Sequence, residues 1–339
     1  MQPQTEHLAI ETGPIPADAL TVAGIAIIAY ILASVLHEVG GHGGACLLAG
    51  GKVLVVSTVH MECSAETRLV MAGGTLMNVA AGALCFALGR LTARTSPRLR
   101  YFMWLSMTVN LFTAAGYFGF SGVGGFGDWA SFIQGLRPQW AWRIGMTIFG
   151  AAAYMLVARF SLLELRPLIG SDKEKRFARA VRLSKIPYFV GGILACVAGS
   201  LNPQGMILVA LSAAASTFGG TSGLLWMMNW LKGDRIPLGS EPDPMRIRRS
   251  WPWIVTAFVL APAFVVVLGP GVRFTGHPEV SRIARTQMFS PKGHVTGKWL
   301  CHVGRRHKGP VQRTPALLPS EFDPTARQRG NWPIPAENG

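Results

Sequence analysis

The hydrophobic residues of this chain are gathered into long runs that contain no charged side chain. Five such runs cover residues 19–36, 69–89, 101–127, 186–231 and 251–272. A helix needs about 20 apolar residues to cross a bilayer core of about 30 Å. Lipid offers the backbone no hydrogen-bond partner, so such segments are expected to be helical. The pattern predicts an all-α polytopic membrane protein rather than a large soluble protein with buried helices.

Turn residues and charges indicate about seven predicted transmembrane helices, one of which, 140–163, lies outside these runs and carries Arg143 and Arg159 near its ends. The predicted helices cover residues 19–49, 69–89, 101–120, 140–163, two halves of 186–231, and 253–268. The run 186–231 is too long for one span, and Asn202-Pro203 divides it because proline interrupts a helix. The Val-rich and Thr-containing residues 52–60 predict a short β segment after the first helix. The Gly-rich stretch 121–129 is predicted to be irregular.

Four parts of the chain follow from this pattern. Residues 1–18 form a polar N-terminal segment, and residues 19–135 form a membrane core that carries the candidate chemistry. Residues 136–270 supply additional transmembrane helices. Residues 271–339, rich in Pro, Gly and Arg, are predicted to be a basic, poorly ordered tail whose histidines have no assigned role.

Charge is scarce but strongly positive. Only 14% of the residues are charged, against about a quarter in a soluble domain, yet the net charge is +15. Three basic linkers follow alternate helices, so the positive-inside rule places them and the N-terminus in the cytoplasm. Lipid head groups explain these charges better than nucleic acid does. We expect a multi-pass protein of a bacterial cell membrane. Its five cysteines, which form no CxxC pair, are predicted to be free thiols.

Candidate chemistry lies in the first predicted helix, where His37, Glu38 and His42 interrupt an apolar run. Ionisable groups at membrane depth cost about 2.5–3.5 kcal/mol each on insertion scales, so they usually serve a function. Two histidines and an adjacent glutamate suit catalytic zinc, with the imidazoles as ligands and Glu38 as general base. The alternative, purely structural interpretation is a pair of buried histidines with Glu38 hydrogen-bonded between helices.

The spacing of the two histidines differs from the H-E-x-x-H pattern. His42 is the fifth residue after His37, and on a regular helix such residues lie about 140° apart. A π-bulge, whose hydrogen bonds run from i to i+5, would bring them together, and Gly40 and Gly41 would ease that distortion. We therefore predict a π-bulge or local unwinding between Val39 and His42. In the competing outcome His42 points elsewhere.

A third ligand has to come from another segment. Asp128 is the best candidate because it follows a long uncharged run within the Gly-rich GVGGFGDW. An aspartate at a membrane boundary can also simply end a helix. His60 is the second candidate and Glu62 a weaker one.

These features together resemble the site-2-protease family of intramembrane zinc metalloproteases. The shared features are HE...H on the first core helix, the segment AGGKVLVV, a helix opening GGTLMN in which Gly74 to Asn78 fits GxxxN, and a later Gly-Asp pair. The resemblance implies that His37, His42 and Asp128 bind zinc and that Glu38 acts as general base and acid. It also implies that Asn78 positions the substrate, a membrane protein or peptide cleaved in or near the bilayer. Gly74 and Asn78 fit helix packing equally well.

A second class of function stays open from the sequence. A non-proteolytic relative or a transporter could use the same membrane helices without a catalytic metal. Metal content separates the two classes, because only the peptidase requires bound zinc. A di-iron membrane enzyme is excluded, since its site needs more histidines than His37, His42 and His60.

Overall fold

The computed structural model describes residues 17–91, 96–203, 205, 209–233 and 244–274. This part of the chain is mostly helical, and five of its helices are long and apolar enough to cross a membrane. These five helices span Ala19–Leu48, Arg68–Leu91, Gln139–Glu164, Lys175–Ser200 and Trp251–Leu268. The number is smaller than the seven predicted. The predicted tail from residue 275 onward lies outside the described residues, as do its four histidines.

The first spanning helix is continuous but changes its hydrogen-bond pattern partway along. It consists of helix α1 (Ala19–Val35), a π-helical segment (Leu36–Gly43) and helix α2 (Gly44–Leu48). Asp18 caps its start by accepting hydrogen bonds from the Thr21 backbone N–H at 2.9 Å and the Thr21 hydroxyl at 2.8 Å. Such a cap satisfies backbone N–H groups that the first turn leaves without partners. The π-helical segment Leu36–Gly43 confirms the predicted π-bulge.

A three-stranded antiparallel sheet follows the first helix. Strand β1 (Val53–Val56) lies between β2 (Met61–Cys63) and β3 (Val272–Arg273). The predicted β segment is thus a hairpin rather than one strand. Strand β3 shows that the beginning of the predicted tail is ordered, because it pairs with β1 through Val55–Arg273 and Val56–Val272.

The prediction that all cysteines are free thiols is wrong for two of them. Cys46, at the end of the first helix, and Cys63, in β2, form a disulfide with their Cα atoms 5.9 Å apart. The pairing depends on the turn that folds the hairpin back onto the helix, so the separation of 17 residues gave no hint of it. Cys85 and Cys196 are free thiols as predicted.

Two long helices form the centre of the bundle. Helix α3 (Arg68–Leu91) packs against helix α4 (Pro97–Gly124). Helix α4 is the predicted third span, but it is not among the five apolar spanning helices because its face toward the core carries polar residues. These buried residues include Ser106, Thr108, Asn110 and Ser121.

Helix α4 also continues through part of the Gly-rich stretch that was predicted to be irregular. A Cβ atom on Gly122 would lie 2.7 Å from the Arg143 carbonyl oxygen of the facing helix, so glycine allows the two helices to approach closely. The helix ends where Gly125 adopts a left-handed conformation at φ 72°. The short helix α5 (Asp128–Phe132) follows.

The remaining elements surround this centre. They are α6 (Gln139–Glu164), α7 (Arg166–Ile169), α8 (Lys173–Ser200), a second π-helical segment (Val209–Gly219), α9 (Gly223–Trp226), a 3₁₀ segment (Met227–Gly233), α10 (Trp251–Ala263) and a third π-helical segment (Phe264–Leu268). The chain does leave a helix at Asn202-Pro203, as predicted. In the described residues 209–231 of the half that follows, the helical structure consists of short segments of different types.

Candidate metal centre

The π-helical segment brings His37 and His42 onto the same face of the first helix. Their Nε2 atoms are 3.2 Å apart and their ring centroids 4.8 Å apart. In a π-helix residues five positions apart are hydrogen-bonded neighbours on successive turns, whereas a regular α-helix would separate them by about 140°. Both histidines are buried, with 5% and 8% of their surface exposed. The local distortion therefore creates the histidine pair.

Glycines on two helices allow this pair to lie against the backbone of α3. A Cβ atom on Gly41 would come within 2.6 Å of the Gly73 carbonyl oxygen and of Gly74 Cα. A Cβ atom on Gly74 would come within 2.5 Å of His37 Nε2 and 2.6 Å of His42 Nε2. Real Cβ atoms essentially never make contacts shorter than 3.0 Å. Glycine at these positions leaves the space in which the imidazoles meet.

Asp128 completes a cluster with the two histidines, and its Oδ2 atom lies 3.3 Å from the Nε2 atom of each. Gly127, with φ 86°, turns the chain so that α5 begins at Asp128. The indole N–H of Trp129 donates a hydrogen bond to the Thr75 hydroxyl at 3.0 Å and so holds α5 beside α3. Among the described residues, these three ligand atoms are the group that could hold a metal ion.

The second nitrogen of each histidine determines what this cluster can bind. His42 Nδ1 lies 2.7 Å from the Val70 carbonyl oxygen, which can only accept, so Nδ1 carries a hydrogen and donates it. His37 Nδ1 likewise donates to Asn78 Oδ1 at 2.9 Å. In the neutral imidazoles both Nε2 atoms therefore carry lone pairs. Two lone pairs and a carboxylate oxygen face one another, so either an additional proton or a cation has to lie among them.

The dimensions of the cluster suit a tetrahedral ion. Its three edges measure 3.2, 3.3 and 3.3 Å. A tetrahedral zinc ion with bonds of about 2.0–2.1 Å separates its ligand atoms by about 3.3–3.4 Å. Histidine ligands of metals usually donate their other N–H to a carbonyl or carboxylate, as both histidines do here. The donor set of two imidazoles and one carboxylate thus fits zinc.

Glu38 lies beside the cluster rather than in it. It is 6% exposed, and it lines a cavity of about 60 Å³ together with His37 and Asn78. Two polar atoms of this cavity wall, Asn78 Nδ2 and Thr58 Oγ1, have no hydrogen-bond partner in the part of the chain that the structure describes. The cavity therefore offers a carboxylate and unpaired polar atoms next to the candidate ligands.

The other candidate ligands lie apart from the cluster. His60 Nε2 is 3.7 Å from Glu62 Oε1, so these two side chains pair with each other at the hairpin.

Asn78 has a role that the sequence did not indicate, because its side chain accepts a hydrogen bond from His37 and so orients that imidazole.

Sequence reasoning also missed the Val70 carbonyl, the Trp129–Thr75 bond and Tyr117. The Tyr117 ring stacks on His37 with centroids 4.8 Å apart. These contacts join distant segments, and no local pattern signals them.

Comparison of the chain with models of protein families, with curated proteins and with solved structures finds no match.

Proposed function

We propose that this protein is a zinc-dependent intramembrane endopeptidase with its centre at His37, His42 and Asp128. The observation that carries the proposal is the convergence of His37 Nε2, His42 Nε2 and Asp128 Oδ2. The N–H hydrogen of each neutral imidazole is on Nδ1 and is already donated to a neighbouring oxygen, so all three converging atoms offer electron pairs. The adjacent carboxylate of Glu38 and the resemblance to site-2 proteases support hydrolysis over simple metal storage.

The protein's own groups divide the work of holding the ion and preparing the reaction. His37 and His42 would supply Nε2 and Asp128 would supply Oδ2, while Asn78 and the Val70 carbonyl fix the two imidazole orientations. A zinc ion held by three protein ligands acts as a Lewis acid that makes water acidic enough to supply hydroxide at neutral pH.

Glu38 is the residue placed to move protons. Its carboxylate lines the cavity beside His37, where it can take a proton from the attacking water and return it to the nitrogen of the leaving amine. The Asn78 Nδ2 donor can hold a substrate carbonyl in the same cavity. Burial keeps bulk water out, and this strengthens each of these polar interactions.

The decisive experiment measures zinc content and cleavage in the same preparations. We expect one zinc per purified chain, and cleavage of membrane-spanning peptides in H₂¹⁸O that places one ¹⁸O in each new carboxyl terminus. Glu38→Gln should keep its zinc and lose cleavage by about 10²–10⁴-fold, the usual contribution of a general base. Glu66→Gln, at an exposed glutamate, is the matched control and should keep both.

Asp128→Asn tests the ligand set, since the amide nearly preserves shape but removes the negative charge. It should lose most of the zinc and the cleavage together. A purified chain that binds no zinc when zinc is supplied would overturn the proposal. It would leave a protonated histidine pair held by Asp128 as the explanation of the cluster.

A further inference from the structure

The helical bundle has two ends of different charge. The end that contains Asp18 is called here the basic end, and a series of contacts defines it. Arg249 pairs with Asp18 at 3.0 Å, and Arg98 donates to the Arg248 carbonyl at 3.2 Å. These bonds join the start of the first helix, the start of α4 and the segment before α10.

Further contacts extend the basic end to the other helices. Arg90, at the end of α3, pairs with Glu164, at the end of α6, at 2.6 Å. Arg176, near the start of α8, donates to the Leu231 carbonyl at 3.0 Å. The basic residues of the described chain segments at this end are Arg90, Arg98, Arg100, Arg166, Lys175, Arg176, Arg179, Arg182, Lys185, Lys232, Arg246, Arg248 and Arg249. A cytoplasmic leaflet attracts such residues by about 1 kcal/mol each.

The opposite end, called here the disulfide end, contains the sheet and the Cys46–Cys63 bond. The Thr58 N–H of the hairpin donates to the Leu268 carbonyl at the far end of the last spanning helix. Far fewer basic residues occur here in the described chain, namely Lys52, Arg68, Arg137, Arg143 and Arg273. Disulfides form and persist in oxidising compartments outside the cytoplasm. The charge distribution and the disulfide therefore indicate the same orientation independently.

The candidate metal centre lies close to the disulfide end. His42 is six residues before Leu48 and 23 residues after Ala19, so it lies much closer to the disulfide end of the first spanning helix than to its start. Cys46 follows His42 by one turn and is tied to β2. The cluster is thus in the half of the first spanning helix that adjoins the sheet.

We propose that the disulfide end faces the exported side of the membrane, opposite the cytoplasm, and that the metal centre takes peptide segments exposed at that face. The second part rests on the proposed peptidase function. The structure then limits the substrate class to exported proteins, or to membrane proteins with an accessible segment in the outer leaflet. Chains confined to the cytoplasm are excluded.

Site-directed labelling tests the orientation without any activity measurement. Cys85, Cys196 and Cys301 are replaced by alanine, and a single cysteine is introduced as Lys52→Cys or as Ser171→Cys, both at exposed positions. Cells with a permeabilised outer envelope are treated with a membrane-impermeant maleimide. Labelling of Lys52→Cys before lysis, with Ser171→Cys labelled only after lysis, is the expected result. The reverse pattern would overturn the proposal.

The native cysteines give a second, independent readout. In membranes alkylated before extraction, Cys46 and Cys63 should react only after reduction with dithiothreitol. Reaction of both thiols without reduction would contradict an oxidising surrounding. Their replacement by serine serves as the unlabelled control.

Oriented vesicles connect the orientation to the metal. EDTA, which does not cross bilayers, should remove zinc from right-side-out vesicles at least tenfold faster than from inverted ones. Faster removal from inverted vesicles would refute the assigned face of the site. If labelling gives the expected orientation while neither preparation contains zinc, the proposed peptidase function fails and the orientation stands.

Discussion

Gly74→Ala is the substitution that tests the geometry of the proposed metal centre most directly. The added methyl carbon would lie 2.5 Å from His37 Nε2 and 2.6 Å from His42 Nε2, whereas ordinary contact begins at 3.4 Å. One or both imidazoles would have to move by about 0.8 Å to relieve the overlap. Backbone motion is restricted here, because Gly41 packs directly against the Gly73–Gly74 backbone.

This displacement is large compared with what a zinc site tolerates. Bond lengths in such sites vary by about 0.2 Å, so a shift of about 0.8 Å breaks at least one metal–ligand bond. Changes that only disturb the orientation of ligands cost about 10–100-fold in affinity. We therefore expect Gly74→Ala to weaken zinc binding by at least about 100-fold, which corresponds to about 2.7 kcal/mol.

The assay is competition for zinc between the detergent-purified protein and a chelator of known affinity, with zinc per chain measured by mass spectrometry. Gly89→Ala, in the same helix, is the matched control because its Cβ would lie 3.4 Å from Met103 Cβ, an ordinary contact. Both substitutions gain about 1 kcal/mol of helix propensity, so propensity cannot distinguish them. A Gly74→Ala protein that binds one zinc with unchanged affinity would refute the assigned geometry.

Three further predictions test other parts of the structure. Gly41→Ala should lower the unfolding free energy by about 1–3 kcal/mol, because the added Cβ would lie 2.6 Å from backbone atoms of α3. Gly40→Ala is the control and should not lower it, because its Cβ would contact only the flexible Met77 side chain, and thermal melts of the two variants are compared. Replacing Cys46 and Cys63 by serine should cost about 3 kcal/mol in denaturant unfolding, from the closed loop of 17 residues, and equal stability would contradict the bond. The contact with the His60 imidazole lowers the pKa of Glu62 below its ordinary value of 4.5. The stability that this contact contributes is therefore present above that pH and disappears as pH falls through the lower folded value. Melting temperatures of Glu62→Gln and the unaltered protein should therefore differ at pH 7 and converge in acid.

Hydrophobicity and the spacing of a few residues determined several features of this protein from the sequence alone. The bounds of the first, second, fourth and last predicted helices agree with the structure to within a few residues, because a predominantly apolar run long enough to cross a bilayer is expected to be helical. The spacing of His37 and His42 predicted the π-helical segment, since two histidines five positions apart can bind one metal ion only where the helix hydrogen bonds run from i to i+5.

Other features depend on contacts that the sequence does not encode locally. The polar residues of α4 lie in a run without charges, so the sequence predicted a transmembrane helix but did not show which of its faces meets protein, whereas the structure buries these residues against other helices. The Gly-rich stretch 121–129 suggested irregular backbone, which the structure has only between α4 and α5, whereas Gly122 lies within α4 and permits close packing against α6. The Cys46–Cys63 bond and the pairing of β1 with β3 likewise join segments distant in the chain.

The candidate site shows the same division between local pattern and tertiary contact. Sequence spacing alone identified His37, Glu38 and His42, because ionisable residues in an apolar helix stand out against their neighbours. The sequence ranked Asp128 above His60 as the third candidate ligand, but only the tertiary structure brings Asp128 beside both histidines, since that contact depends on where α5 packs against α3. It also decided that Val70 and Asn78 orient the two imidazoles. Local periodicity records which face of a helix is apolar, but it carries no information about which distant side chain meets that face.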